Sequence, residues 1–189
     1  KSIAELKANQ ILQWRQERVS DARLSTINPV FISAYNQLIF GTENAILEKS
    51  ITDSLKLIKE TYRYKNIILV DKAGNPVISV DPELKNLDSS GISLLTQANE
   101  EADIVIGDFF RNPENGQVAL YVVAPLLDDN NQLYGALIFQ VDPEEYLFPI
   151  VQSWPTPSET AETLLIQKHS QDVVFLNSLR HDSSGPLSK

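Results

Sequence analysis

Cysteine and methionine are both absent from the 189 residues. Without thiols the chain has no disulfide framework and no thiolate nucleophile, and the absence suits an oxidising compartment as well as a reducing one. Histidine is scarce: His169 and His181 both lie in the C-terminal segment, which argues against a His-based metal or acid–base site in the main domain. No stretch approaches the roughly twenty apolar residues that span a bilayer. Basic clusters are missing too. Sixteen Lys and Arg against 25 Asp and Glu leave a net charge of −9, which argues against nucleic acid or an anionic membrane surface as partner. No catalytic constellation is visible: the serines have no nearby His or Lys, no glycine loop cradles a phosphate, and Asp128-Asp129 lacks calcium-loop spacing. No cofactor or metal is expected. The start at Lys1-Ser2 reads as an excised or processed piece of a longer protein, so missing signal or anchor segments say nothing about the parent.

What is present changes period along the chain. Residues 3–24 are predicted to be helical, with Ala4, Ala8, Ile11, Leu12, Val19 and Ala22 forming a thin apolar stripe. Such a helix projects from a domain or pairs with a copy of itself. Asn28-Pro29 starts a second helix, since Asn accepts from exposed amides and Pro sits where no donor is needed; Gly41 stops it. Thr42 is expected to cap a third, whose face is Leu47, Ile51, Leu55, Ile58 and Tyr62. Short Val-, Ile- and Leu-rich runs follow at Asn66–Val70, Val77–Val80, Asp103–Phe110, Val118–Leu127 and Leu133–Val141. Tight polar turns join most of them, which pairs them antiparallel. Residues 81–102 form the long helical crossover, opened by Asp81-Pro82. Asp142-Pro143 is expected to launch a short helix through Tyr146, Leu147 and Ile150. After a Pro-rich joint, Thr163–Gln167 and Val173–Asn177 flank the polar turn Lys168–Asp172 as a hairpin. The expected class is α+β: a five-stranded antiparallel sheet with a long N-terminal helix and helices on one face.

The strand–turn–strand "NIILVDKAGNPVISV", the pair "VALYVVAPLLDDNNQLYGALIFQVD" and the long leading helix, in this order, resemble the Cache superfamily of PAS-like extracytoplasmic sensor domains. The resemblance covers about residues 1–152. The tail "FPIVQSWPTPSETAETLLIQ" with "VVFLNSLRH" resembles the junction between the two modules of double-Cache ectodomains in bacterial sensor histidine kinases. It implies a sensor module over 1–152, a joint at 153–159 and the start of a second, incomplete PAS-like module at 160–189. The alternative is a hairpin that folds back to extend the first sheet.

By resemblance, a small molecule binds between the sheet and the crossover segment. On the last strand Tyr134, Ala136, Ile138 and Gln140 share a face by alternation. A four-residue loop at Asp128–Asn131 places Tyr121 across from Ile138 on that face, and one more loop residue reverses it. Gln140 is an amide in an apolar run, able to donate and accept. In amino-acid-binding relatives an Asp near this point holds the ligand amine; Gln140 has no charge to offer. The aromatic–Arg–aromatic pattern of their crossover is also missing, because residues 91–107 contain no Arg, Trp or Tyr. Asp108 and Arg111 interrupt "IVIGDFFRN" and either meet a polar ligand or pair with each other, Arg111 being suited to an anion. The expected ligand-binding residues are therefore Tyr121, Tyr134, Gln140, Arg111 and Asp108. Each also has a plainer reading as a core, rim or strand-end residue.

Two functions follow. The first is an extracytoplasmic ligand-sensing domain of a membrane receptor, a two-component histidine kinase, with a diguanylate cyclase or chemoreceptor as alternative parent. Its ligand would be a small polar or carboxylate-bearing metabolite, and the N-terminal helix would make a homodimer. The second is a ligand-free dimerising spacer in such a receptor. The fragment itself is not expected to be an enzyme.

Overall fold

The computed structural model describes residues 2–41, 44–84, 86–112, 116–153, 163–169 and 172–177. Two units are distinguished: Arg15–Asp108 with Leu120–Val141, and the described parts of Lys1–Trp14, Phe109–Ala119 and Asp142–Lys189. One helix, α1 (Ile3–Ile27), contributes its first half to the second unit and the rest to the first.

Two helices follow α1 in the first unit. In α2 (Pro29–Phe40) the Asn28 side chain accepts from the Val30 amide, Pro29 opens the helix and Gly41 ends it, all as expected. The cap of α3 (Ala45–Tyr62) is Asn44, whose side chain accepts from the Leu47 amide; the expected cap Thr42 lies outside the described residues. Ile51 and Leu55 are the buried positions of its predicted face.

The sheet of this unit runs β2 (Pro76–Ser79), β1 (Asn66–Asp71), β6 (Leu133–Val141), β5 (Val118–Leu127) and β3 (Val105–Ile106), all antiparallel neighbours. Asp71 builds the β1–β2 turn: one carboxylate oxygen accepts from the Ala73 and Asn75 amides, the other from the Asn75 side chain. Burial pushes this carboxyl up, but those bonds outweigh it and hold the group below the usual Asp range. Gly74, at φ +85°, supplies the left-handed backbone that the turn requires.

An α+β fold with a leading helix and an antiparallel sheet is as expected, with one correction. Helices lie on both faces of the sheet. A Cβ on Gly135 would meet Ile39 of α2 on one face, whereas Tyr121, directed to the other, lies against Gly91 of α4 (Ser89–Glu101). The β1 run "NIILV" already carried the signal. A sheet wet on one side alternates, but Ile67, Ile68, Leu69 and Val70 are all 0–1% exposed.

The expected strand Asp103–Phe110 is divided. Val105 and Ile106 pair with β5, after which the Gly107 amide donates to the Tyr121 carbonyl. Phe110–Arg111, β4, belongs to the second unit and pairs with Ala119 and Val118. The crossover opens with a single 3-10 turn at Pro82–Leu84, and its helix starts only at Ser89, capped by Asp88.

The buried positions of α1 are Lys7, Trp14, Ala22 and Ser25, while Ala4, Ala8 and Leu12 of the predicted stripe face solvent. In the second unit the Lys7 ammonium donates to the Ile150 and Ser153 carbonyls and to the Ser153 hydroxyl. It thereby neutralises the C-terminal end of α5 (Leu147–Gln152). That helix begins later than expected. Asp142 accepts from the Glu144 amide in a turn, and regular helix starts at Leu147. The C-terminal hairpin is present, as β7 (Ile166–His169) and β8 (Asp172–Phe175), with the strands reaching further into the expected turn. It forms a two-stranded sheet of its own rather than extending the large one. Asn177 closes its base, accepting from the Leu165 amide and donating to the Thr163 carbonyl. The expected joint at Trp154–Ser158 and His181 lie outside the described residues.

Candidate ligand-binding face

Three central strands bring three polar side chains into one row. Asn66 of β1 pairs with Gln140 of β6, and Gln140 pairs with Tyr121 of β5. Tyr121 therefore stands across from Gln140, not from Ile138 as expected. The reason is double. The β5–β6 loop has one residue more than assumed, running from Asp128 to Gln132, and β6 carries a bulge: Leu127 pairs with Leu133 but Leu126 with Gly135, leaving Tyr134 as the extra residue. One added residue reverses the face and a second restores it.

Each member of the row is held differently. Asn66 is fully buried and committed: its Nδ2 donates to Ser79 Oγ at 2.9 Å, and its Oδ1 accepts from the Asp81 amide at 2.8 Å. It fastens β2 and the start of the crossover to the sheet, a role that only the presence of an amide at the head of an apolar strand hinted at. Tyr121 is 2% exposed, and a Cβ on Gly91 would stand 3.3 Å from its Cε2, so glycine at the first turn of α4 lets the helix approach the ring. Gln140 is 3% exposed, and its carbonyl accepts from the Lys65 amide.

The other expected residues are elsewhere. The bulge removes Tyr134 from the alternation of Ala136, Ile138 and Gln140, and its ring lies 5.9 Å from that of Phe40 at the end of α2. This corrects the expected shared face. Asp108 is exposed at the surface after Gly107. Arg111 is exposed on β4 of the second unit, where its guanidinium donates to the Gly116 carbonyl at 2.6 Å. The row itself is uncharged. Among the described residues no group of His, Asp or Glu is arranged to hold a metal ion, and no helix is long and apolar enough to cross a membrane.

No protein-family model matches the sequence, and no curated protein matches it significantly. Solved structures do. The chain is similar to the sensor domain of the V. cholerae histidine kinase DctB, with a TM-score of 0.58 and 16% identity over 80% of this chain and 56% of that one. It is similar to the ligand-binding domain of the Campylobacter jejuni chemoreceptor Tlp3, in complex with 4-methylisoleucine, with a TM-score of 0.61 and 14% identity over 80% and 60%. The E. coli DcuS sensor domain gives a TM-score of 0.53 and 11% identity over 73% of this chain and 94% of that one. The chain thus spans somewhat over half the length of the DctB and Tlp3 domains. At these identities the likeness is one of architecture: the chain shares the fold of these receptor sensor domains.

Proposed function

We propose that this chain is the extracytoplasmic small-molecule-sensing domain of a membrane-bound signal-transduction receptor, with a two-component histidine kinase as parent. One observation carries the ligand-binding part: the Gln140 amide, in an otherwise apolar run, stands beside Tyr121 on the sheet face toward α4. That amide can both donate to and accept from a ligand on this face. Similarity to sensor domains of a histidine kinase and of a chemoreceptor supports the receptor reading.

The uncharged row favours a small polar or carboxylate-bearing metabolite over a cationic amine, because neither Asn66 nor Gln140 offsets an ammonium. A ligand stabilises the fold by about 2.7 kcal/mol at a hundredfold excess over its dissociation constant, so a thermal-shift screen exposes a binder. Small carboxylates or neutral polar metabolites are expected to raise the melting temperature, and Gln140→Ala to shrink that shift by at least half while the protein still folds. Hits confined to amines and amino acids would refute the ligand class. A broad screen without any hit would favour the dimerising-spacer reading.

Dimerisation belongs to either version. Leu12 is 57% exposed on α1, one heptad before the half-buried Val19, and the pair suits a seam with the same helix of a second copy. In the proposed parent this seam makes a parallel homodimer. A single apolar heptad gives limited burial, so sedimentation at high concentration is expected to show weak self-association that Leu12→Glu abolishes. Wild type and variant sedimenting alike as monomers would remove the seam. Residues 160–189 are read as the start of a second PAS-like module. The match to nearly all of the DcuS domain uses 73% of this chain, which supports a complete first module with sequence to spare.

A further inference from the structure

Asn66 belongs to a closed set of hydrogen bonds. Its Nδ2 donates to Ser79 Oγ at 2.9 Å, Ser79 Oγ donates to the Asp81 carbonyl at 2.7 Å, and the Asp81 amide donates back to Asn66 Oδ1 at 2.8 Å. The Ile67 amide donates to the same Oδ1, also at 2.8 Å, which fixes the plane of the Asn66 side chain. Asp81 is thus gripped by both of its backbone groups where the chain leaves β2 for the crossover. Its carboxylate is turned the other way along the chain and accepts from the Glu83 amide at 3.1 Å.

The far end of this connection also meets the row. Asp88 accepts from the Gly91 amide at 2.9 Å, and Gly91 approaches the Tyr121 ring. Asn66 and Tyr121 are the two ends of the row, with Gln140 between them. Two strand spacings, about 10 Å, separate them. The ten residues from Asp81 to Gly91 could reach about 33 Å if extended, so covalent length does not fix where the connection runs. Its course depends on how the two ends are held. The near end is held by hydrogen bonds to one amide, and because Asn66 is 0% exposed, water does not compete for them.

We propose that Asn66 is a positioning residue for the candidate ligand face. By holding Asp81 it sets the course of the connection, and with it the seat of the first turn of α4 on Tyr121, beside Gln140. The inference rests on the reading of this row as the ligand-binding face. Gln140 and Tyr121 are the groups that meet a ligand; Asn66 acts through the connection, since its side-chain amide is engaged by Ser79 and Asp81.

The test is amide exchange followed by NMR on the ligand-free protein, with the Tyr121 ring signals as a second probe. Asn66→Ala should speed exchange of the Asp81 amide about tenfold, the effect of one lost hydrogen bond. It should speed the Gly91 amide similarly and shift the Tyr121 ring signals, two strands away from the substitution. Asn28→Ala is the control, because it removes the cap of α2 and lowers overall stability without touching the connection. It should leave the Gly91 amide and the Tyr121 ring as in wild type. Should Asn66→Ala fail to fold, Ser79→Ala removes one link while keeping the Asn66–Asp81 bond, and should speed the same two amides about threefold. A response confined to Asp81 would overturn the proposal, as would equal responses of Gly91 and Tyr121 in the control. No ligand takes part, so failure here strikes the role of Asn66 alone, whereas an empty ligand screen strikes the row as a binding site.

Discussion

Replacing Tyr64 by alanine should destabilise the fold by about 3–5 kcal/mol, the cost of deleting a large buried aromatic side chain. Tyr64 is 3% exposed and sits between α3 and β1, just after the left-handed cap residue Arg63. Its ring packs on Phe139 of β6 with centroids 5.0 Å apart. Its other side faces the Arg18 guanidinium of α1, 5.1 Å from the ring centroid. Arg18 also pairs with Asp21 at 3.0 Å and donates to the Tyr62 carbonyl at 2.9 Å, while the Tyr64 hydroxyl donates to Asp21 at 3.2 Å. One residue thus ties α1, the end of α3 and the sheet together. Tyr64→Phe keeps the ring contacts and should cost only about 1 kcal/mol. Equal losses for Phe and Ala would show that the hydroxyl, not the ring, holds the latch; denaturant midpoints at unchanged slope separate the two.

The same latch has a pH signature. Burial raises the Asp21 carboxyl above its ordinary value, Arg18 and the Tyr64 hydroxyl pull it down, and Glu17 adds to the rise. A carboxyl whose folded pKa exceeds its unfolded one contributes stability below the unfolded value and loses it as pH rises through the folded one. The stability of wild type relative to Asp21→Asn should therefore fall as pH rises through the acidic range just above the ordinary Asp value. The comparison must be with that variant, because Asp71 and Asp103 are held below the ordinary range and act in the opposite sense.

Much of this architecture is legible in the sequence because the signals are local. Asn28-Pro29 with Gly41 frames α2, the change of period after Tyr62 separates helices from strands, and the Asp-rich turns read directly. What escaped is what depends on tertiary packing. Ser25 and Lys7 are buried in α1 although their side chains are polar: Ser25 donates to the Asp21 carbonyl, and Lys7 finds acceptors at the end of α5, far along the chain. Tyr134 carries no local mark of a bulge, yet the bulge decides which face it serves and which residue Tyr121 meets. Gln140 was visible as an amide in an apolar run, whereas Asn66 was hidden by its place at a strand end. Arg111 shows the limit of chemistry read without placement. Its guanidinium suits an anion, but it is exposed and donates to the backbone of its own turn.

Gly135, next to the bulge, should be the least replaceable residue of β6. A Cβ there would stand 2.6 Å from the Val70 carbonyl oxygen and 2.5 Å from Ile39 Cδ1. The Ile39 methyl lies at the end of a flexible side chain and can move. The Val70 carbonyl cannot, because it is backbone of β1, paired with β6 along its whole length. Gly135→Ala gains about 0.4–1 kcal/mol from a less flexible unfolded chain. Forcing apart packed backbone costs about 1–3 kcal/mol, so the net effect is destabilising. Gly135→Val adds two methyl groups in the same place and should lose more, with an expected fall in melting temperature large enough to leave little folded protein at 37 °C. Gly116→Ala is the contrasting case. That Cβ meets nothing within 4 Å, and only its φ of +70° opposes the change, at about 1–2 kcal/mol. If Gly135→Ala melts at the wild-type temperature, β1 and β6 can separate enough to admit a Cβ without losing their pairing. The close approach at the bulge would then be slack rather than a constraint on where α2 and Tyr134 sit.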